Sequence, residues 1–160
     1  MVIRFKNEIM NYPFFKLIHI LSATLMIGTG FGSAFYLYFT YKTSNSIETL
    51  KHVLKLVIFA DKIFTTPSVI IQLITGVVLS YMIGYQYTRW FWIVLSISFV
   101  VFVLWIRTVF IQNKLSEIIE EKNEITPEFH KLMNFWFYLG IPSFAASLYL
   151  YYLMVYKAFL

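Results

Sequence analysis

Residues 14–39, FFKLIHILSATLMIGTGFGSAFYLYF, constrain this chain more than any other stretch. The run carries Lys16 as its only charged side chain and exceeds the roughly 20 apolar residues that a helix needs to cross a bilayer. It also encloses His19, whereas the other two histidines, His52 and His130, stand in polar flanks. A histidine in hydrocarbon costs free energy unless something binds it, so it is expected to face the protein interior and to be a candidate for function. On a helical wheel His19, Ser22, Ala23, Met26, Gly30 and Ser33 share one side, with Gly28 and Gly32 roughly opposite.

Three further apolar runs follow. With 59% hydrophobic and 13% charged residues among 160, the chain departs from soluble domains, in which about a quarter of residues are charged. The expectation is an all-α integral membrane four-helix bundle, one domain over residues 1–160, with spans at about 14–39, 58–85, 90–111 and 132–156. No length remains for a soluble catalytic domain. The polar start has no clear small-residue cleavage site, so the first span is expected to be retained. The absence of cysteine excludes disulfides, Fe–S clusters, thiolate metal sites and covalent heme attachment. The net charge of +5 sits mostly beside the spans, where it reports topology and lipid headgroups; no nucleic-acid partner is expected.

Asn45 with Glu48 three residues later fits a capping box for a second helix. Ile47, Leu50, Val53, Leu54 and Val57 against Glu48, Lys51, His52 and Lys55 make its first turns amphipathic. Asp61, Thr65, Ser68, Gln72, Thr75 and Gly76 then recur at helical spacing as a polar stripe facing the bundle, and Pro67 should kink the helix or open its hydrogen-bond ladder. The short connection 84–89 predicts antiparallel neighbours. The third helix is expected to continue past Arg107 through 112–122, and Thr126-Pro127 is an N-cap and first-turn pair for the fourth. In that fourth helix Trp136, Gly140, Ser143 and Ser147 share a face, Pro142 is a candidate kink, and Tyr149, Tyr151, Tyr152 and Tyr156 fit an interfacial belt.

Eight of the 13 Lys and Arg residues lie within 40–62 and 107–131. By the positive-inside rule those two connections are cytoplasmic and both termini periplasmic or outside, with Arg4, Lys6 and Lys16 pulling the other way.

His19 admits several roles: axial heme ligand, proton carrier, contact for a quinone or porphyrin, or simply an interhelical hydrogen bond to Ser80, Tyr149 or Tyr152. A bis-histidine heme is unfavourable, because His52 and His130 belong to the opposite end, on the order of 30 Å along the helix. Those two histidines lack a third ligand, so no metal site is assigned. The lining formed by Asp61, Thr65, Gln72 and Thr75 reads either as a ligand pocket or proton path, or as interhelical hydrogen bonding. Arg107 is expected to pair with Asp61 across the second and third helices. Gly28 and Gly32 make a GxxxG spacing, read first as intramolecular packing.

Four stretches together, KLIHILSATLMIGTGFGSAF, ADKIFTTPSVIIQLITG, WIRTVFIQNKL and FHKLMNFWFYLGIPSFA, resemble a bacterial family of predicted integral membrane proteins catalogued as domain of unknown function 2269. That resemblance spans nearly the whole chain and implies a multi-pass protein of the bacterial inner membrane. A more distant one is to HemJ-type protoporphyrinogen oxidase and CopD-like membrane proteins, through Lys16, Leu17, His19, Ile20, Pro67 and Gly76. It implies heme b, or a porphyrin, against His19. The third span has no histidine where the oxidase-like proteins carry one, so neither a second heme ligand nor the oxidase activity carries over.

The leading expectation is a heme- or porphyrin-associated redox protein using His19. Its rivals are a non-catalytic module that packs in the bilayer against itself, as a homo-oligomer, or against a membrane partner protein, and a small oligomeric transporter lined by the polar stripe.

Overall fold

A computed structural model describes the backbone of residues 2–156 and the side chains of residues 11–156. Arg4 and Lys6, which weigh against the topology derived above, lie outside the residues with described side chains. Every regular element among the described residues is helical: α1 (Val2–Thr43), α2 (Ile47–Ala60), α3 (Thr66–Met82), α4 (Arg89–Lys122) and α5 (Pro127–Val155). A π turn, Asp61–Thr65, fuses α2 to α3, so four continuous rods result, each long and apolar enough to span a membrane.

Local chemistry sets the breaks. Ser46, in an extended conformation, accepts the Thr49 N–H at 3.2 Å and caps α2. The cap falls there and not on Asn45, because Ser46 is the extended residue directly before the first helical turn. Pro67 has no N–H to return to the preceding turn. The ladder opens just upstream, where the Thr66 N–H reaches back five residues to the Asp61 carbonyl, which is the π turn. Gly84, at φ 74°, supplies the left-handed residue that ends α3, and a short 3-10 turn leads to Thr88, which caps α4 through the Phe91 N–H. Asn123 closes α4 at φ 51°, and Thr126 caps α5 with Pro127 in its first turn. Helix α5 passes through Pro142 unbroken to Val155.

Helices α1 and α3 pack together, as do α4 and α5, while α2 bridges α1 to α4. Pairing of α3 with α4 or α5 is sparse, although α3 and α4 are consecutive. The core therefore lies at one end. Leu37 of α1, Leu50 and Leu54 of α2, Leu115 and Ile119 of α4, and Phe129 and Met133 of α5 are all at most 2% exposed and form one cluster. The amphipathic start of α2 explains the location: its apolar face removes surface from water, whereas helices inside a bilayer gain nothing from that source. Tyr38 stacks on Phe137 at 3.9 Å, Tyr41 hydrogen-bonds His130, and Lys55 meets Glu120 at 2.9 Å, tying the four rods at this end. Toward the other end, Trp90 Nε1 donates to the Leu153 carbonyl at 2.8 Å. Phe99, at 66% exposed, and the many other large apolar side chains on the outside form the surface that faces lipid.

The glycine expectation needs correction. A methyl group added at Gly28 or Gly32 would meet nothing within 4 Å, so this pair does not pack a helix within the chain. The wheel already put both glycines opposite His19, and α3 took the His19 side.

Candidate functional site

The α1–α3 seam collects most of the buried polar side chains. Ser22 and Ser33 of α1 lie under it, with Asp61 and Thr65 of the π turn and Ser68 and Thr75 of α3, all at most 9% exposed. One helix face supplies the α3 side because successive members are three or four residues apart. The two helices run antiparallel, which sets His19 beside Thr75 and Ser22 beside Gln72.

His19 is half-buried, and its Nδ1 lies 2.7 Å from Thr75 Oγ1. That threonine was not among the partners expected for it. Ser80, also buried, instead donates to the Val77 carbonyl of its own helix, and Tyr149 stacks on Tyr152.

The threonine fixes the histidine tautomer. Thr75 Oγ1 stands 2.6 Å from the Ile71 carbonyl, an acceptor only, and a hydroxyl has a single proton to give. That proton goes to Ile71, so toward His19 the oxygen accepts and Nδ1 carries the hydrogen. In the neutral ring Nε2 is then the nitrogen with the free lone pair. No group of the described residues hydrogen-bonds Nε2.

Neighbouring groups hold the ring and its backbone. Gln72 Nε2 donates to the His19 carbonyl and, at 2.7 Å, to Ser22 Oγ, whose hydroxyl in turn donates to the same carbonyl at 3.0 Å. Gly76 gives the imidazole its room: a Cβ there would stand 3.3 Å from His19 Cε1. Thus four residues on two helices orient one imidazole.

The far end of the seam holds Asp61. Its carboxylate accepts from Thr65 Oγ1 and from Gln112 Nε2, both at 2.8 Å. Arg107 is exposed and forms no ion pair with it, contrary to the expected coupling. The reason is register. Gln112 lies about 7.5 Å farther along α4 than Arg107 at 1.5 Å per residue, and that shift brings it level with Asp61. Gln112 was the residue the sequence reading missed. The signal was an amide at the edge of an apolar span, at the depth of the only acid in the facing one.

The remaining histidines stand apart from this seam. His52 is exposed, and His130 is engaged with Tyr41 at the core end.

Comparison with known proteins agrees with the helical architecture. No curated protein and no solved structure matches the chain. A family model described as a predicted integral membrane protein, DUF2269, matches residues 13–158 and so takes in the whole seam and all of the four rods except the first turns of α1. The chain belongs to this family of predicted integral membrane proteins.

Proposed function

We propose that this protein is a heme- or porphyrin-associated redox protein of the bacterial inner membrane, with His19 as the residue that contacts the macrocycle. One observation carries the reading: Thr75 commits Nδ1 as a donor and leaves the Nε2 lone pair free. Metal-ligating histidines as a rule donate their other ring N–H to an oxygen acceptor, which fixes tautomer and orientation. In this reading the His19 imidazole would hold heme b through its Nε2. Gly76 keeps the ring flank clear, Gln72 and Ser22 pin the backbone, and Lys16, exposed one turn away, suits the carboxylates of a porphyrin. A bound heme would supply one-electron exchange, with the histidine ligand and local polarity setting its potential. The chain's own part is to orient the imidazole and keep Nδ1 protonated.

In this reading the packed end faces the cytoplasm and both termini face the periplasm, supported by the gathering of Lys42, Lys51, Lys55, Lys62, Lys114, Lys122 and Lys131 at that end. Cysteines introduced singly at Ser44 and Gln86, probed with an impermeant thiol reagent in whole cells, test it on a cysteine-free background. Labelling at Gln86 alone is expected.

The functional test is the absorption spectrum of protein purified in mild detergent, before and after dithionite. A Soret band at near-stoichiometric heme, lost in His19→Ala, is expected. Colourless protein from heme-replete cells would overturn the reading. It would favour the rival, a non-catalytic packing module, which the open surface at Gly28 and Gly32 supports.

A further inference from the structure

The outer flank of the packed end carries a groove that the heme reading does not use. It lies between α4 and the rod formed by α2 and the π turn, and its volume of about 420 Å³ falls within the roughly 300–1,000 Å³ usual for small-ligand clefts. The two rods run antiparallel here, tied by Lys55 with Glu120 at 2.9 Å and by Asp61 with Gln112 at 2.8 Å. That register sets Lys62 level with Asn113 and Phe59 level with Ser116, and all four line the groove together with Glu117. The Lys55–Glu120 pair closes the end toward water. Lys62 and Asn113 stand about 10 Å deeper along both rods, at 1.5 Å per residue.

This deeper rung marks the edge of the hydrocarbon. Immediately beyond it come Ile63 and Phe64 on one rod and Phe110 and Ile111 on the other, and Phe110 is 69% exposed. Farther in, α3 pairs only sparsely with α4, so the flank below the groove is apolar and open between the rods. In a bilayer lipid chains cover such a surface.

Charge decides which lipid head belongs above those chains. Lys55 is neutralised by Glu120, and Glu117 meets Lys114 at 2.9 Å through Oε2 alone. Lys62 is exposed and has no ion-pair partner among the described residues, at a depth where a cation needs a counter-charge. A lipid phosphate supplies that charge, with the Asn113 amide as a second donor. One turn nearer water than Asn113, about 6 Å along the helix, Glu117 keeps Oε1 outside its ion pair. From the hydrocarbon outward the order is therefore cation and then carboxylate. An ethanolamine phospholipid carries the opposite charges in the same order, with its phosphate beside the glycerol and a primary ammonium at the tip.

We infer that this groove binds one phosphatidylethanolamine, its phosphate on Lys62 and Asn113, its ammonium on Glu117 and Ser116, and its chains along Phe110 toward the gap between α3 and α4. Choline has no N–H to donate to Glu117, and glycerol offers that carboxylate no positive charge. The inference goes beyond the heme reading and rests on nothing in the His19 seam.

The test is native mass spectrometry of the full chain in detergent, stripped of lipid and titrated with phosphatidylethanolamine, phosphatidylglycerol or phosphatidylcholine of the same acyl chains. The first phosphatidylethanolamine adduct should form at a several-fold lower concentration than the other two. Lys62→Gln should weaken it by on the order of tenfold, the equivalent of one charge-assisted hydrogen bond. Glu117→Gln should erase the preference over phosphatidylglycerol. Both side chains are exposed, so these variants should keep the native melting temperature, and Arg107→Gln, outside the groove, should bind as the native protein does. Glycerophosphoethanolamine, the head without its chains, should not displace the lipid at equal concentration. Equal affinity for the three lipids, a preference for phosphatidylglycerol, displacement by the chainless head, or native binding in Lys62→Gln or Glu117→Gln would overturn the inference. The heme spectrum is read separately, so failure of either idea leaves the other standing.

Discussion

Gln112 Nε2 donates to Asp61 Oδ2 at 2.8 Å, linking the long third rod to the π turn, while Arg107 on the same rod stays exposed. Removing the amide leaves one carboxylate oxygen without its donor in a buried place, so Gln112→Leu should destabilise by about 1–3 kcal/mol. Arg107→Gln, a surface change, should stay within about 0.5 kcal/mol. A double-mutant cycle on thermal unfolding in detergent should give a coupling of about 0.5–3 kcal/mol for Asp61 with Gln112, and additivity for Asp61 with Arg107.

The glycines of the seam and of the open face should respond differently. Alanine favours a helix over glycine by about 1 kcal/mol where nothing obstructs the added methyl, so Gly28→Ala and Gly32→Ala should be neutral or stabilising. Gly76→Ala should lose that gain, because the new Cβ lies 3.3 Å from His19 Cε1 and the imidazole must give way by a few tenths of an ångström. Melting temperatures of the three variants check this. A loss of stability at Gly28 or Gly32 would mean that a second copy or a partner packs there.

The helix caps give a third comparison. Ser46→Ala and Thr126→Ala should each cost about 1 kcal/mol, while Asn45→Ala, at an exposed position outside the cap, should cost almost nothing. Thermal unfolding separates them.

The helical architecture was legible because four apolar runs of spanning length leave no other way to satisfy backbone groups in lipid. The polar stripe was legible for a related reason: Asp61, Thr65, Gln72 and Thr75 recur at the period of one helix face. Thr126-Pro127 could be read directly, since a cap acts over only three residues. Register between helices was not legible. It placed Gln112 and not Arg107 against Asp61, and Thr75 and not Ser80 against His19, and it depends on how far the π turn ahead of Pro67 shifts α3 against α1. The side of α1 that takes a neighbour was equally hidden, because wheel positions show two small faces and only packing chooses between them.

Macrocycle binding at His19 turns on which ring nitrogen holds the proton. Nitrogen NMR of histidine-labelled protein at a pH where the ring is neutral, with the signal assigned by its loss in His19→Gln, measures this directly. The structure predicts Nδ1 protonated and Nε2 bare, shifting to a mixture of tautomers in Thr75→Val as the acceptor disappears. A native His19 protonated on Nε2 and bare on Nδ1 would contradict it, because the lone pair would then point at Thr75 and no free nitrogen would remain for a macrocycle.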